Sequence, residues 1–523
     1  MENEKEIKTS TALIDEAVLS NAKADFERDR VKNSLDACLL KVPDRKEDIE
    51  AAFEGVNKST GWEKAFIILV TEIEEAVRGR MIVPLYSQKS MAKQEIYVFV
   101  GSHWEVIPIQ MYYDFIREAC KRLGLSVLFY QNYRYMNQVF EQVAFSVSKH
   151  ICTAQPHDGV WINLRNGTIE IAAPSPVNGL CTPFGSPVSR GTETLPSGGA
   201  ANAPIINFRE HRAEDFFLYC IPYCYDPAAE CPLWLRFLDE VLQEKEAQQL
   251  LGEYIGYCFT RNLKLEKMAV LYGSGANGKS VVLDVIKSLV GRENVSEATL
   301  SSVTNDSEAR CVMQNKLLNI SSESGKNLNP AVLKQLVSGE PVEMRKLYIG
   351  VQTLYNPPKF ITSYNVLPPI ENTYGYKRRW IIFPFNRTIP DDQQDPMLTA
   401  RLCRELPGIL NWVLRHLGNL LVKVHSQSGE DFVKSDICQM ALAEYFKDAN
   451  SINMFLDECC RIDDSVSVPM KELYAHYVEY CKCSGINKPS ILRNFKKSLI
   501  DWGATETVVA QKKYFNVYVN NEI

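Results

Sequence analysis

The sequence predicts an α/β protein with a nucleotide-binding core, a mixed N-terminal region and a C-terminal domain of winged-helix type. Three observations support this fold class. A short apolar strand leads through a glycine-rich loop into a helix at Lys267–Gly291. Two more apolar strands, at 317–320 and 359–364, are each followed by a polar residue that suits phosphate chemistry. Within 490–519, a basic helix is followed by a predicted wing of two strands, "TETVVA" and "YFNVYV".

The bulk composition is that of a folded protein without global attraction to nucleic acid. The chain has 523 residues, 46% hydrophobic and 23% charged, with a net charge of −6. Its length predicts about two to four domains. Its charge means that any DNA contact must come from local basic patches. The longest apolar run near the start, Ala65–Val70, is too short to span a bilayer and no signal peptide is visible. We therefore expect a cytoplasmic protein without membrane contact.

Changes in residue composition and hydrophobic pattern along the chain predict the domain organisation. The N-terminal residues are dense in charges of both signs, and the next predicted helix has an apolar face formed by Trp62, Phe66, Leu69, Val70, Ile73 and Val77. Two hairpins are predicted, one from "EIYVFV" and "WEVIPI" and one from "GVWINL" and "TIEIAA". One stretch rich in Gly, Pro and Ser is predicted to be a mobile loop or linker. The predicted parts are a helical region at 1–95, an α+β module at 96–206 with the loop 173–204, a helical domain at 207–262, an ATPase core with following helices at 263–428, and a winged-helix-like domain at 431–523.

The glycine-rich loop has the spacing of a phosphate-binding loop. Its glycines let backbone N–H groups face phosphates, and the N-terminus of the following helix adds positive potential. Lys279 is expected to reach the β- and γ-phosphates of ATP, and Ser280 to coordinate Mg²⁺. The predicted ATP-binding residues are Gly273, Ser274, Gly275, Ala276, Asn277, Gly278, Lys279 and Ser280.

Two polar residues after the next strands are candidates for water activation. Glu323 follows the strand at 317–320 and could polarise the attacking water as well as assist Mg²⁺ binding. Asn365 follows the strand at 359–364 and could orient the same water. The alternatives are that Glu323 is a plain surface carboxylate and that Asn365 is a turn residue before prolines.

Paired arginines precede the last strand of the predicted core. Arg378 and Arg379 stand directly before the apolar run "WIIFPF". Such a pair is often plain surface charge. The other interpretation is that one guanidinium reaches the γ-phosphate held by a neighbouring subunit and stabilises transition-state charge.

Taken together, these motifs resemble superfamily 3 helicases, a branch of the AAA+ ATPases. The chain is similar, more narrowly, to the phage and plasmid primase-helicase family that includes the poxvirus primase-helicase. The resemblance covers roughly residues 207–523. It is carried by "CPLWLRFL", "GEYIGY", "GSGANGKS", "KLLNISSES", "LKQLVSGEPVEMRKLY", "KFITSYNVLPPI" and "YGYKRRWIIFPF".

This resemblance implies an AAA+ core that forms a homo-hexameric ring and moves on single-stranded and forked DNA in the cytoplasm of a bacterial host. ATP and Mg²⁺ lie between subunits in that family. Lys279, Ser280, Glu323 and Asn365 then act in cis, and Arg379, rather than Arg378, acts in trans. A hairpin in the ring channel holds DNA phosphates and stacks on bases. The corresponding candidates here are Arg345, Lys346, Tyr348 and Lys359.

The C-terminal tail points to DNA independently. From Ser490 on, Leu492, Phe495, Leu499 and Trp502 share one helical face. Three cations point elsewhere and are candidates for DNA contact, with a solvated basic face as the alternative. These cations are Arg493, Lys496 and Lys497.

Three further expectations concern function. The fifteen cysteines lack zinc-ribbon spacing, and residues 1–205 lack a convincing carboxylate set, so a separate primase is a candidate partner. Within enzymes, the rival is a nucleotide kinase, which explains Lys279 but not Asn365 with the arginines. The rival from another class is an ATP-switched origin-binding or assembly protein that does not unwind DNA.

Overall fold

The computed structural model describes residues 29–84, 95–149, 159–172, 192–194, 205–322, 328–347, 350–368, 374–425, 431–449, 451–483, 489–509 and 512–520. Two of the candidate residues, Glu323 and Tyr348, lie outside these ranges, as does the predicted loop 173–204 except for 192–194. The described chain forms two compact units, one up to Tyr225 and one from Asp226.

The first unit contains helices and two sheets in which most strand pairs are antiparallel. Its elements are α1 over residues 29–39, α2 Lys46–Phe53, α3 Lys58–Val77, β1 Met81–Pro84, β2 Ile96–Phe99, β3 Trp104–Ile107, α4 Ile109–Arg122, α5 Val127–Tyr130, α6 Tyr133–Ser146, β4 Ser148–Lys149, β5 Gly159–Leu164, β6 Gly167–Ala172, β7 Thr192–Thr194 and β8 Ile205–Arg209. Among the described residues, one sheet has the order β3-β2-β1-β4 and the other β5-β6-β8-β7.

Both hairpins predicted in this unit are confirmed. β2 pairs with β3, and β5 pairs with β6, each in antiparallel register. The apolar face predicted for α3 is also confirmed, because Leu69, Ile73 and Val77 are fully buried in the core of this unit. The spacing of those residues places them on one side of a helix with 3.6 residues per turn.

The second unit begins with helices and continues into a parallel sheet. Its first part contains α7 Pro232–Val241, α8 Lys245–Cys258, β9 Met268–Tyr272, α9 Lys279–Val290, β10 Val295–Ser296, α10 Leu300–Asn305, β11 Leu318–Ser322, α11 Pro330–Ser338, β12 Val342–Lys346, β13 Gly350–Leu354, β14 Lys359–Tyr364, α12 Tyr374–Lys377, β15 Trp380–Pro384, α13 Leu398–Leu402 and α14 Leu406–His425.

Within the described part of this unit, the central sheet has the order β10-β11-β14-β9-β15, and every pair in it is parallel. β9 and β15 are nearly continuous apolar runs, as expected for strands buried on both faces, whereas β11 and β14 also bury polar residues such as Asn319, Ser321 and Thr362. The predicted α/β class is therefore confirmed. Because β9 lies between β14 and β15, the loop that follows Tyr272 emerges beside the ends of both neighbours. Ligands of open parallel sheets bind at such carboxyl ends.

The chain then ends in a helical segment with small sheets. The elements are α15 Asp436–Ala449, α16 Ser451–Cys459, β16 Cys460–Ile462, β17 Val468–Pro469, α17 Met470–Cys483, α18 Leu492–Asp501, β18 Glu506–Val509, β19 Lys512–Phe515 and β20 Val517–Val519. α15 packs with the parallel sheet, since Phe446 is buried in the same core as Trp380. A separate core begins at Ile452.

The last predicted strand, "YFNVYV", is divided at Asn516. β19 pairs with β18, whereas β20 pairs with β16. The reason is local hydrogen bonding by the Asn516 side chain. Its Oδ1 accepts from the backbone N–H of Thr505 at 2.6 Å, and its Nδ2 donates to Asp464 at 2.6 Å. An asparagine that bonds in this way competes with a continuous ladder.

No helix in the described ranges is both long and apolar enough to cross a membrane.

Candidate functional site

The glycine-rich loop connects β9 to α9 with an unusual backbone. Gly275, Ala276 and Gly278 all have positive φ, at +113°, +48° and +84°. Left-handed backbone is costly for alanine, and such strain persists only where the surroundings enforce it. Successive turns of this kind direct backbone N–H groups into a concave anion-binding surface. The three positive φ values give this loop a backbone of the kind found in anion-binding loops.

Lys279 contacts three of the other predicted site residues. Its side chain is only 5% exposed, and its Nζ donates to the carbonyl oxygen of Gly273 at 2.7 Å and to Oδ1 of Asn277 at 3.0 Å. It also donates to Oδ1 of Asn365 at 3.2 Å. Asn365 is separated from Lys279 by 86 positions in sequence, so this contact is created by the fold. The cation of the loop and the amide after β14 thus share one site.

The register of the sheet explains this contact. The backbone N–H of Gly273 donates to the carbonyl of Tyr364 at 3.2 Å, so the loop leaves β9 beside the end of β14. On the other side of β14, Ser363 pairs with Ser322, the last residue of β11. Glu323, which follows Ser322 in sequence, is outside the described residues. Its roles toward water and Mg²⁺ stay predictions.

Ser280 is the second residue of α9 and is exposed. A hydroxyl at the first turn of a helix lies among backbone N–H groups that have no partner within the helix. A hydroxyl at that position is suitably placed to bind an ion beside phosphates. Its assignment to Mg²⁺ stays a prediction.

Support for the loop comes from residues that sequence reasoning did not assign to the site. The amide Nδ2 of Asn277 donates to the carbonyl of Phe385, just after β15, at 3.0 Å. From the other side, Val241 and Phe237 of α7 approach Gly278, where a Cβ would lie 2.9 Å from Val241 Cγ1. The sequence predicts a helical domain that contains α7, but it does not predict that α7 packs against the glycine loop.

Gly273→Ala is predicted to weaken ATP binding without unfolding the protein. A Cβ at Gly273 would lie 2.4 Å from the carbonyl oxygen of Phe385 and 2.2 Å from Nδ2 of Asn277, so the loop must shift. Overpacking of this kind costs about 1–3 kcal/mol, and about 1.4 kcal/mol is a ten-fold change in affinity. We expect affinity for a non-hydrolysable ATP analogue to fall about ten-fold by calorimetry.

Arg292→Ala is the control, because Arg292 is exposed just after α9 and lies outside the loop. It should bind the analogue like the wild type. Wild-type affinity in Gly273→Ala, with an unchanged circular dichroism spectrum, would show that the loop does not need its observed path.

The two arginines lie at the start of β15 and share an acidic partner. Arg379 is half-buried, and its guanidinium donates to Oγ of Ser338 at 2.9 Å and to the carbonyl of Gly375 at 2.7 Å. Arg379 and Arg378 both form ion pairs with Glu266. Desolvation, together with the neighbouring Arg378 charge, lowers the pKa of Arg379 from its ordinary value. Arg378 is the more exposed of the two.

The arginines lie at the amino ends of the parallel strands, whereas Lys279 lies at their carboxyl ends. Trp380 pairs with Met268 at the beginning of β9, and Pro384 pairs with Tyr272 at its end. The five residues of β15 therefore separate Arg379 from the level of the loop by roughly 16 Å. An arginine side chain cannot cover that distance, so Arg379 does not reach the loop of its own chain.

The hairpin predicted between the second and third strands is present as β12 and β13, which pair in antiparallel register. Arg345 is exposed on β12 and Lys346 is half-buried at its end. Leu347 and Val351, near the turn, are each 67% exposed. Tyr348 lies outside the described residues. The described cations of this segment therefore lie on an antiparallel hairpin with exposed residues near its turn.

Lys359 does not belong to this hairpin. It is the first residue of β14, and its Nζ donates to the hydroxyl of Tyr257 at 2.9 Å and to the carbonyl of Leu263 at 3.0 Å. Its ammonium also lies 4.0 Å from the centre of the Tyr257 ring. These contacts hold the charge inside the fold, so we do not retain Lys359 among the proposed DNA contacts of the hairpin.

In the tail, Phe495 and Leu499 of α18 are fully buried, as their shared face predicted. Arg493 and Lys497 are exposed. Lys496 instead pairs with Glu506 of β18 at 2.8 Å, and Glu506 also pairs with Lys513 at 3.0 Å. The hydrogen bonds from those two lysines lower the pKa of Glu506. Sequence reasoning did not single out Lys513, which places a further cation on the wing beside α18.

Three family models match separate segments of the chain. A model described as "D5 N terminal like" matches residues 79–243, and one described as "Poxvirus D5 protein-like" matches residues 447–521. A third, described as a family of unknown function (DUF5906), matches residues 271–379, which extend from β9 to Arg379. D5-like segments therefore lie on both sides of the parallel-sheet core in the sequence.

Several solved structures are similar to the chain at low identity. One apo structure of the NrS-1 C-terminal region has a TM-score of 0.44 and 12% identity, over 87% of this chain and 98% of that one. A second has a TM-score of 0.42 and 13% identity over the same shares. A third has a TM-score of 0.40 and 13% identity, over 81% and 94%. Similarity at this level does not establish a shared fold.

Proposed function

We propose that this D5-like protein is an ATP-dependent DNA helicase of a replicating phage or mobile element, with a superfamily 3 AAA+ core that acts as a hexameric ring. The observation that carries the proposal is the hydrogen bond between Lys279 and Asn365 at the carboxyl ends of parallel strands. A phosphate-binding lysine beside a polar residue that can orient water is an arrangement for cleaving a phosphoanhydride bond. A simple kinase does not account for the arginine pair at the other edge.

Within one subunit, each residue has a distinct task. Lys279 and the loop backbone hold the phosphates, and the amide of Asn365 positions the attacking water. Glu323 is the proposed base that accepts a proton from that water. Ser280 is the proposed protein ligand of Mg²⁺. A Mg²⁺ ion held there would supply positive charge that offsets the charge of the phosphates.

Between subunits, Arg379 is the proposed cation that completes the site. It lies at the opposite ends of the strands from its own loop, so its proposed target is the site of another copy. A guanidinium supplied from a neighbour stabilises charge on the transferred phosphoryl group. This links hydrolysis to the presence of a correctly placed neighbour, as a ring requires.

DNA contact is assigned to the hairpin and the tail. Arg345 and Lys346 of β12 are the proposed phosphate contacts in the ring, with Tyr348 as a stacking residue. Arg493, Lys496 and Lys497 are the proposed DNA contacts of the tail. The ion pair with Glu506 holds Lys496 beside β18. A separate primase is the proposed protein partner.

Strand displacement on forked DNA is the test of this function. The wild-type protein with ATP and Mg²⁺ is expected to release a labelled strand. Arg345→Ala is expected to keep ATP turnover but to lose unwinding about ten-fold, because a cation–phosphate contact is removed from the channel. Each such contact also contributes to the salt dependence of DNA affinity, so the slope against salt should become shallower.

Arg292→Ala is a suitable control, since Arg292 is exposed on the core but lies outside the hairpin. It should unwind like the wild type. Hydrolysis of ATP by wild-type rings that release no strand from any fork would replace the helicase with an ATP-switched origin-binding or assembly protein.

A further inference from the structure

A cavity with a cationic lining lies in the second unit, apart from the nucleotide loop. Its volume is about 20 Å³, measured to the centre of a water-sized sphere, which is room for one small polar group. Its lining includes the segment after α8 and the residues at the starts of β11 and β14. The lining residues are Cys258, Thr260, Arg261, Lys264, Lys316, Leu317, Gly339, Asn356, Pro357, Pro358 and Lys359.

The charges of this cavity are of one sign. Four of the lining residues are cationic, namely Arg261, Lys264, Lys316 and Lys359. No residue in this lining is Asp or Glu. The thiol of Cys258 adds no negative charge near neutral pH, because burial raises its pKa far above the ordinary value. Like charges in one partly buried space repel one another, and an anion relieves that repulsion.

Lys359 shows how strongly the cavity is biased. Burial, together with the charge of Lys264, lowers the pKa of Lys359 to about 8. Its ammonium is fixed by Tyr257 and Leu263, so it contributes positive potential from a set position. Lys264 is exposed at the rim and its side chain is free to turn toward a ligand.

The cavity is distinct from the nucleotide loop. Lys359 donates its backbone N–H to the carbonyl of Leu317 at 3.0 Å, so the lining follows the edge where β11 and β14 begin. Lys279 lies at the other edge, where β14 and β9 end. A ligand in the cavity therefore does not contact the loop of the same chain.

We propose that this cavity is a second anion site that binds a phosphate group. Three ammonium groups and one guanidinium line this single cavity, and such groups form charge-assisted hydrogen bonds with the oxygens of a phosphate. The ammonium of Lys316 also donates to the backbone carbonyl of Glu293, a bond that a bound phosphate would share or replace. The small volume accommodates the terminal oxygens of the group rather than a base or sugar. Both a nucleotide and a DNA backbone present that chemistry.

The first experiment uses inorganic pyrophosphate and the full chain carrying Lys279→Ala, so that the nucleotide loop does not compete. We expect calorimetry to detect binding, and Lys264→Ala with Lys316→Ala to weaken it about ten-fold or more, since hydrogen bonds to charged groups are lost. Lys264→Ala alone, at an exposed position, guards against misfolding of the double variant and should show a smaller loss in the same direction.

Lys434→Ala is the matched control, because Lys434 is exposed in the same unit and does not line the cavity. It should leave pyrophosphate affinity unchanged. The proposal is overturned if the Lys279→Ala chain binds no pyrophosphate, or if the double variant binds it as tightly as its parent. This titration needs neither hydrolysis nor unwinding, so it can be read even if the helicase proposal fails.

A second measurement identifies the source of the phosphate. With Lys279 intact, the cavity variants are compared with the wild type for affinity toward oligothymidylate and for the KM of ATP. A DNA source predicts weaker oligothymidylate binding with an unchanged KM. A nucleotide source predicts a raised KM with unchanged oligothymidylate binding. Wild-type values in both measurements would also overturn the proposal.

Discussion

Lys279→Ala is expected to reduce ATP turnover by about 100-fold or more, because removal of one preorganised contact to developing phosphate charge has an effect of that order. In the structure the Lys279 ammonium is buried and held by oxygens of Gly273, Asn277 and Asn365. These three hydrogen bonds fix the position of the ammonium. Steady-state phosphate release at saturating ATP and Mg²⁺ is the measurement.

The same substitution also removes the donor that satisfies Oδ1 of Asn277, a buried residue. A buried acceptor left without a donor costs about 1–3 kcal/mol, so a modest fall in the free energy of unfolding is expected. Lys287→Ala is the control, because Lys287 is on the same helix but pairs with Glu297 at the surface. Turnover that survives in Lys279→Ala while the protein remains folded would remove this loop from the catalytic site.

Arg379→Ala is expected to reduce turnover by about 1,000-fold when all subunits carry it, as for guanidinium groups supplied to phosphoryl-transfer sites. The decisive result is a mixture with Lys279→Ala subunits, which are themselves inactive. An Arg379→Ala subunit retains its loop, and a Lys279→Ala neighbour supplies the missing guanidinium. Activity should therefore return on mixing.

The size of the recovery is also predicted. In randomly mixed rings with equal amounts of both variants, half of the loops and half of the arginines are intact, so about one quarter of the interfaces are complete if the sites act independently. We expect phosphate release near that fraction of the wild-type rate. Mixed rings that form, as seen by native mass spectrometry, yet remain inactive would exclude a role for Arg379 across the interface.

Arg378→Ala gives the matched comparison. It has the same charge change, the same acidic partner and a neighbouring position, but fewer contacts to the rest of its own chain. If Arg379 is the residue that acts across the interface, Arg378→Ala alone retains most turnover. Severe loss in Arg378→Ala, rescued by mixing with Lys279→Ala, would assign the role to Arg378 instead.

Local pattern predicted the elements well. The apolar runs of β9, β14 and β15 and the helix after the glycine loop are where the sequence placed them. The reason is that burial on both faces of a parallel strand demands a continuous apolar run, which is legible in one dimension. The order of motifs also indicated which polar residues would meet, and the contact of Lys279 with Asn365 agrees with it.

Side chains with several possible partners were not predictable in this way. The family resemblance makes Lys359 a candidate for the DNA-binding hairpin, along with Arg345 and Lys346. Its ammonium instead lies against Tyr257, which is 102 positions away. Likewise, the strand predicted through Asn516 is divided because that side chain finds Asp464, 52 positions away.

The sequence by itself determined the glycine loop, the parallel strands and the residues that follow them, because each depends on neighbours within a few positions. Only the tertiary structure decided that Arg379 lies at the edge opposite Lys279, that Phe385 and α7 support the loop, and that Lys359 joins three other cations around a cavity. Those facts depend on strand register and on packing between distant segments. No local periodicity encodes the partner that a long side chain will reach.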